Sequence, residues 1–189
     1  MKKSEIYTIP NMLSFYRLLA FPFILYLVLS GNEKWFAILL VINLVTDALD
    51  GFIARTFNLE TQLGAKLDSL ADNFTYILAF LGVYYFKLHD FMPHIYSFVF
   101  WFFMLFSAIM IPVIRYGRTP SFHLYSWKIG GYIQGAFFIV LFTWGFFTPF
   151  YYFMVTWGIL AAMEHISIQF VIPEMRSNVK GLYWVLREK

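Results

Sequence analysis

Six apolar runs, each about as long as a membrane-spanning helix, follow one another along the chain with short polar connections between them. A helix needs about 20 predominantly apolar residues to cross the hydrocarbon core of a bilayer. The chain is 60% hydrophobic and only 13% charged, so a soluble domain of this length could not bury its apolar surface. The sequence therefore predicts an all-α integral membrane protein. The predicted spans are 12–30, 35–57, 65–87, 95–114, 129–147 and 150–172.

The chain is expected to form a single membrane domain over residues 1–189, because no repeat or low-complexity segment divides it. Residues 173–189 are a polar tail. No small-residue cleavage site follows the first apolar run, so we expect that run to remain as a helix of the mature protein. The absence of cysteine from the sequence excludes disulfides and thiol chemistry.

Basic residues are distributed unevenly between the two ends of the predicted spans. Twelve of the 14 Lys and Arg residues fall on one side, and only Lys34 and Lys87 fall on the other. Positive charge accumulates on the cytoplasmic side of membrane proteins. The distribution predicts that both termini, the tail and the connection between the second and third spans are cytoplasmic.

Four of the five aspartates in the chain lie within 26 residues of this apolar sequence. Asp47 and Asp50 are spaced i, i+3 on the second predicted helix, and Asp68 and Asp72 are spaced i, i+4 on the third. Each pair therefore shares a helix face. An unpaired acid within a membrane costs about 2.5–3.5 kcal/mol on insertion scales, and four acids exceed what helix–helix hydrogen bonding explains. Because hard divalent cations such as Mg²⁺, Mn²⁺ or Ca²⁺ prefer carboxylate oxygens, the pattern predicts a metal site.

Small residues occupy the same helix faces as the acids. Gly51 and Ala54 follow the first pair of aspartates, and Gly64 precedes the second pair. Such residues can simply permit close helix packing, or they can leave room for a ligand beside the carboxylates. Arg55, at the edge of this face, is suited to a phosphate. Together these residues favour a phosphate-bearing substrate with a lipid part.

The spacing Asp-x2-Asp-Gly-x2-Ala-Arg-x8-Gly-x3-Asp-x3-Asp resembles the signature of the CDP-alcohol phosphatidyltransferases. All eight fixed positions match, and they are Asp47, Asp50, Gly51, Ala54, Arg55, Gly64, Asp68 and Asp72. The upstream segment from Pro10 to Arg17 is similar to the Pro-Asn-x-Leu-Thr-x2-Arg lead-in of bacterial members, with Ser14 in place of the threonine.

The resemblance implies transfer of a phosphatidyl group from CDP-diacylglycerol to the hydroxyl of a polar alcohol, with release of CMP. It implies two divalent cations, Mg²⁺ or Mn²⁺, and a homodimer. The implied metal ligands are Asp47, Asp50, Asp68 and Asp72. Asp72 is also the implied catalytic residue, as a ligand, as the general base for the hydroxyl, or as both. The implied contacts of the donor nucleotide are Asn11, Gly51, Ala54, Arg55 and Gly64.

The acceptor alcohol is left open by these motifs. Arg115, Arg118 and Lys128 flank the connection between the fourth and fifth predicted spans. They fit ordinary cytoplasmic positive charge, and they equally fit a subsite for a phosphate on the acceptor. The subsite interpretation favours glycerol 3-phosphate, with inositol phosphate, inositol and serine as alternatives.

Two other functions fit parts of the pattern. Diacylglycerol could attack CDP-choline or CDP-ethanolamine, although the small size and the lead-in argue against this. A metal-ion transporter could use the acids as its binding site, but the acids lie at one membrane face and the first, fourth and fifth spans offer no polar path.

Two polar features inside the predicted spans also need an interpretation. Arg17, within the first span, is expected to snorkel to the interface or to face a polar site. Glu164 and His165, within the sixth, are interpreted as a pair that satisfies itself rather than as a substrate contact.

Overall fold

In the computed structural model, which describes residues 8–117, 124–172 and 179–187, all regular elements are helical. The α-helices are α1 (Ile9–Leu29), α2 (Glu33–Thr56), α3 (Gln62–Gly82), α4 (Leu88–Phe91), α5 (Ile95–Tyr116), α6 (Tyr125–Thr143), α7 (Thr148–Val171) and α8 (Leu182–Arg187). A π-helical segment, Val83–Lys87, follows α3, and a 3-10 turn, Met92–His94, precedes α5. The chain divides into two compact units, Met1–His89 and Asp90–Lys189.

Four helical stretches in the described residues are long and apolar enough to cross a membrane: Ile9–Leu29, Glu33–Thr56, Gln62–Tyr116 and Thr148–Val171. The chain is therefore a multi-pass membrane protein built from helices, as predicted. The third of these stretches has 55 residues, more than twice the length that one crossing needs. Six crossings, a single domain and cytoplasmic termini stay predictions.

The predicted spans differ from the helices at most of their ends, and two of these differences can be related to packing. The turn expected at residues 89–94 is helical, because Phe91 is buried among aromatic rings and its centroid lies 5.0 Å from that of Phe146 and 5.7 Å from that of Tyr151. The fifth helix was expected at 129–147, but α6 begins and ends four residues earlier. Buried Leu124 precedes it, and the Tyr125 N–H donates to the Lys180 carbonyl at 3.2 Å.

Polar side chains begin each of the first three helices by capping free backbone N–H groups. Thr8 accepts from the Asn11 N–H before α1, Asn32 accepts from the Trp35 N–H before α2, and Thr61 accepts from the Gly64 N–H before α3. Asn58, in the turn between α2 and α3, has a left-handed backbone with φ 52°, a conformation that Asn tolerates well.

In the first unit, α1 contacts both α2 and α3. The core of this unit contains Ile24, Phe36, Leu40 and Leu78, each fully buried. Because α1 lies against both neighbours, one polar face of α1 meets the aspartate-bearing faces of α2 and α3.

In the second unit, α7 contacts α5, α6 and α8. Glu164 accepts hydrogen bonds from the Ser126 hydroxyl at 2.5 Å and from the Leu182 N–H at 2.9 Å. His165 Nδ1 lies 2.9 Å from Gln169 Nε2. Glu164 and His165 thus have different partners, because adjacent residues on a helix point in different directions. Glu164 joins α7 to the first turn of α8.

Candidate metal centre and substrate cavity

The four predicted metal ligands converge on a single side chain of α1. These residues, Asp47, Asp50, Asp68 and Asp72, are called the aspartate cluster below. The Arg17 guanidinium lies among them: Nη1 donates to Asp47 and, at 2.8 Å, to Asp72, while Nη2 donates to Asp50 at 2.5 Å and to Asp68 at 2.7 Å. Each Nη therefore joins one carboxylate of α2 to one of α3.

The cluster is buried on one side and open on the other. The Arg17 side chain is 0% exposed and that of Asp50 is 3% exposed, whereas those of Asp47, Asp68 and Asp72 are between 37% and 41% exposed. The Ser14 hydroxyl lies 3.2 Å from Asp50 Oδ2, the same oxygen that accepts from Arg17. The open side is therefore the side from which an ion or a substrate can reach the carboxylates.

The arrangement of the carboxylates fits a divalent cation. Asp47, Asp50 and Asp68 each offer a carboxylate oxygen, and these three oxygens lie within 4.8 Å of one another. Asp72 shares a guanidinium nitrogen with Asp47 and so borders the same space. Mg²⁺ and Mn²⁺ prefer carboxylate oxygens as ligands. The four carboxylates already bind one cation, the guanidinium of Arg17.

A cavity of about 320 Å³ adjoins the cluster, and its wall includes Asp50 and Asp68. The wall also contains every residue predicted to contact the donor nucleotide, namely Asn11, Gly51, Ala54, Arg55 and Gly64. The cavity lies between α1, the end of α2, the turn after it and the start of α3. The packing of α1, α2 and α3 against one another brings these residues together, while their role towards a nucleotide stays a prediction.

Gly64 is required by helix packing as well as by the cavity. A Cβ at this position would collide with Asn11 Oδ1 and would lie 2.9 Å from Thr61 Oγ1. Asn11 is buried, and its amide donates to Thr61 at 3.4 Å. The close-packing interpretation of the small residues therefore holds at Gly64. At Gly51, a Cβ would lie 3.2 Å from an Arg55 guanidinium nitrogen, so this glycine leaves space for the arginine.

The residues predicted for an acceptor phosphate lie in the second unit or outside the described residues. Arg115 is exposed, donates to the Gln169 carbonyl at 2.6 Å and lies over the ring of Phe170. Lys128 is exposed in the first turn of α6. Arg118 is outside the described residues. A shared role of the three in binding an acceptor phosphate stays a prediction.

Arg17 and Ser14 are the functional candidates whose place the motif alone did not give. Of the two outcomes expected for Arg17, snorkelling is wrong and facing a polar site is confirmed, since its side chain is fully buried in the aspartate cluster. The signal in the sequence was the spacing of Asn11, Ser14 and Arg17, which places three polar residues along one side of an otherwise apolar helix.

Comparison with known proteins identifies a family profile and several relatives that match the chain. The sequence profile described as CDP-alcohol phosphatidyltransferase matches residues 7–166, which include parts of both units. A CDP-diacylglycerol–glycerol-3-phosphate 3-phosphatidyltransferase of Aquifex aeolicus is 38% identical over 88 residues, covering 47% of this chain and 49% of that protein. The Escherichia coli protein of the same name is 34% identical over 80 residues, which cover 41% of this chain and 44% of the relative.

A second kind of relative is also similar. A putative cardiolipin synthase of Mycobacterium tuberculosis strain H37Rv is 42% identical over 71 residues, covering 37% of this chain and 34% of the relative. The chain thus spans about half the length, or less, of these curated relatives. No solved structure matches the chain significantly.

Proposed function

The chain belongs to the CDP-alcohol phosphatidyltransferase family, and on that basis we propose that it transfers a phosphatidyl group from CDP-diacylglycerol to the hydroxyl of a polar alcohol. The hydroxyl oxygen bonds to the phosphorus of the phosphatidyl group, the bond from that phosphorus to CMP breaks, and the hydroxyl proton is released. The observation that carries the proposal is the position of the aspartate cluster at the wall of the cavity formed by α1, α2 and α3.

Each residue of the site has a role in this proposal. The aspartate cluster holds two divalent cations, Mg²⁺ or Mn²⁺. When bound, such ions neutralise charge on the pyrophosphate and stabilise CMP as the leaving group. Asp72, which is 37% exposed, takes the hydroxyl proton or acts as a ligand. Asn11, Gly51, Ala54 and Gly64 line the nucleotide site, and Arg55 contacts its phosphates.

Glycerol 3-phosphate is the favoured acceptor. Two of the relatives described above are named for this acceptor, and Arg115, Arg118 and Lys128 supply positive charge for its phosphate. The cardiolipin synthase relative makes cardiolipin formation the second candidate. We further propose an inner-membrane homodimer with both termini in the cytoplasm, on the grounds of the uneven distribution of Lys and Arg and of the family resemblance.

The direct test measures CMP release from CDP-diacylglycerol by the purified full-length protein, with Mg²⁺ or Mn²⁺ and single acceptors. The acceptors are glycerol 3-phosphate, inositol phosphate, inositol, serine and phosphatidylglycerol, and the lipid product is identified by mass spectrometry. We expect metal-dependent CMP release with glycerol 3-phosphate. Failure with every acceptor would contradict phosphatidyl transfer, and metal uptake into vesicles without CMP release would support a transporter.

The fifth aspartate provides a matched control. Asp90 lies in α4, outside the aspartate cluster. We expect Asp47→Asn to lose CMP release and Asp90→Asn to retain it, although both replacements remove one carboxylate from the chain. Equal losses in the two variants would show that the effect is not specific to the cluster.

A further inference from the structure

We propose that Arg17 is a built-in counter-ion that competes with divalent cations for the aspartate cluster, so that metal binding displaces its guanidinium. The proposal rests on the proposed function only in assuming that the aspartate cluster binds divalent ions. Its test requires neither donor nor acceptor, so it can fail while phosphatidyl transfer is confirmed, and the reverse is also possible.

The first support is where the two guanidinium nitrogens lie. Nη1 bridges Asp47 of α2 and Asp72 of α3, and Nη2 bridges Asp50 of α2 and Asp68 of α3. A cation bound by these same four oxygens would occupy the space that the guanidinium nitrogens now hold. The guanidinium and the ions therefore compete for the same space and for the same negative charge.

The second support is how Arg17 is held. Among the described residues, its hydrogen bonds go to the four aspartates, and its buried Nε has no hydrogen-bond partner. A guanidinium has five N–H donors, and a site built to hold it permanently would be expected to satisfy all of them. Arg17 is thus held in place by the carboxylates themselves, and it loses its partners when they bind another cation.

The third support is access to Asp50. Its side chain is 3% exposed, and its Oδ2 accepts from Arg17 and lies 3.2 Å from the Ser14 hydroxyl. Asp50 lines the cavity, so an ion can approach it there, but an ion that binds Oδ2 competes with the guanidinium for that oxygen. Asp50 therefore couples metal binding to the position of Arg17.

The balance of charges in the cluster also favours displacement of Arg17 by divalent ions. Four carboxylates carry four negative charges and Arg17 carries one positive charge, so the cluster retains an excess of negative charge that attracts further cations. Two divalent ions alone would neutralise the four carboxylates. Keeping Arg17 among them would add a positive charge beside the bound ions, and like charges repel one another.

A rival role makes the opposite prediction. Arg17 could stay in place and orient the carboxylates while the ions bind their remaining oxygens, as groups behind metal ligands commonly do. Removing a competitor strengthens metal binding, whereas removing a group that positions the ligands weakens it. The sign of the change in metal affinity therefore separates the two roles.

The experiment is Mn²⁺ binding to the full-length protein in detergent, measured by isothermal titration calorimetry without substrates. Arg17→Met removes the charge and keeps a similar length. Lys87→Met is the matched control, since it removes a positive charge that pairs with Glu33 at 2.7 Å outside the cluster. We expect the Kd for Mn²⁺ to fall at least tenfold in Arg17→Met and to stay within twofold in Lys87→Met. An unchanged or higher Kd in Arg17→Met would overturn the proposal.

A measurement on the unmodified protein covers the case in which Arg17→Met does not fold. Four hydrogen bonds should lock the guanidinium and give Arg17 separate, slowly exchanging Nη signals in ¹⁵N-arginine NMR, assigned by single Arg→Lys replacements. We expect Mg²⁺ to merge these signals as the locked guanidinium is released. Signals that stay separate at saturating Mg²⁺ would show that Arg17 remains in the cluster.

Discussion

At the residue scale, the four aspartates are not equivalent. Asp50 is almost fully buried behind Arg17 and Ser14, whereas Asp72 is 37% exposed and borders the open side of the cluster. A group that takes a proton from an incoming hydroxyl must lie within hydrogen-bond reach of it. Asp72 meets the accessibility that this role demands, and Asp50 is suited to binding a cation.

We therefore expect Asp72→Asn to reduce turnover by about 10²- to 10⁴-fold, the usual contribution of a general base, while CDP-diacylglycerol binding stays measurable. Asparagine keeps the size of the side chain and one oxygen ligand but cannot accept the proton. Turnover is measured by CMP release and donor binding by calorimetry. Near-normal turnover in Asp72→Asn would rule out the base role.

Gly64 gives a prediction about stability. In Gly64→Ala the new methyl group would collide with Asn11, whose side chain is buried and bonded to Thr61. Overpacking of this kind typically costs about 1–3 kcal/mol, so we expect a lower unfolding temperature, measured by a thermal unfolding assay in detergent.

A matched glycine and a double replacement make this test specific. Gly135 lies in α6, and a Cβ there would meet no heavy atom within 4 Å, so Gly135→Ala should be neutral or stabilising by up to about 1 kcal/mol. Asn11→Ala combined with Gly64→Ala should recover part of the lost stability. Equal destabilisation by both glycine replacements would contradict the proposed collision.

The sequence was sufficient to predict which residues share the site but insufficient to place Arg17. The 3.6-residue period of a helix puts Asp47 with Asp50 and Asp68 with Asp72, whatever the helices pack against. A single arginine in an apolar run can reach either the interface or a buried acid. The contacts of α1 with both α2 and α3 decide between these outcomes, and such contacts depend on the whole unit.

At the element scale, the length of the apolar runs predicted the helices well, whereas the positions of polar residues predicted the helix ends poorly. The gap between the predicted spans 65–87 and 95–114 indicates a turn, but this segment is helical and Phe91 within it is buried. The predicted fifth span begins at residue 129, after Lys128, whereas α6 begins at Tyr125 and includes that lysine. A charge near a span indicates where the apolar region stops, and a helix can continue beyond it.

The attachment of α8 gives the prediction that belongs to this scale. Glu164 of α7 accepts from the Leu182 N–H at the start of α8 and from Ser126 of α6. Glu164→Ala removes both bonds, so we expect amide hydrogen exchange in residues 179–187 to become at least about tenfold faster, as expected when roughly 1.4 kcal/mol of local stability is lost. Mass spectrometry of peptides measures the exchange.

Glu33→Ala is the matched control for this change. It also removes a glutamate, but Glu33 pairs with Lys87 in the first unit. We expect exchange in residues 179–187 to be unaffected by it. Acceleration in both variants, or in neither, would show that Glu164 does not hold α8.

At the scale of the whole molecule, the uneven distribution of Lys and Arg predicts which side of the membrane each connection faces. The absence of cysteine permits a clean test with single introduced cysteines. Lys34 and Lys66 are both exposed and are predicted to lie on opposite sides. We expect a membrane-impermeant maleimide added to intact cells to label Lys34→Cys and to label Lys66→Cys only after the membrane is opened. The reverse pattern would place the aspartate cluster on the outer side.

The charged residues of the site are close together in the sequence, and this affects how the chain enters a membrane during synthesis. The four aspartates and Arg17 all lie between residues 17 and 72, in the first three helices. Each charged helix is costly to release alone into lipid, and the charges offset one another only when α1, α2 and α3 are together. We therefore expect the translocon to retain α1 and α2 until α3 has emerged, because only then can Arg17 pair with all four aspartates.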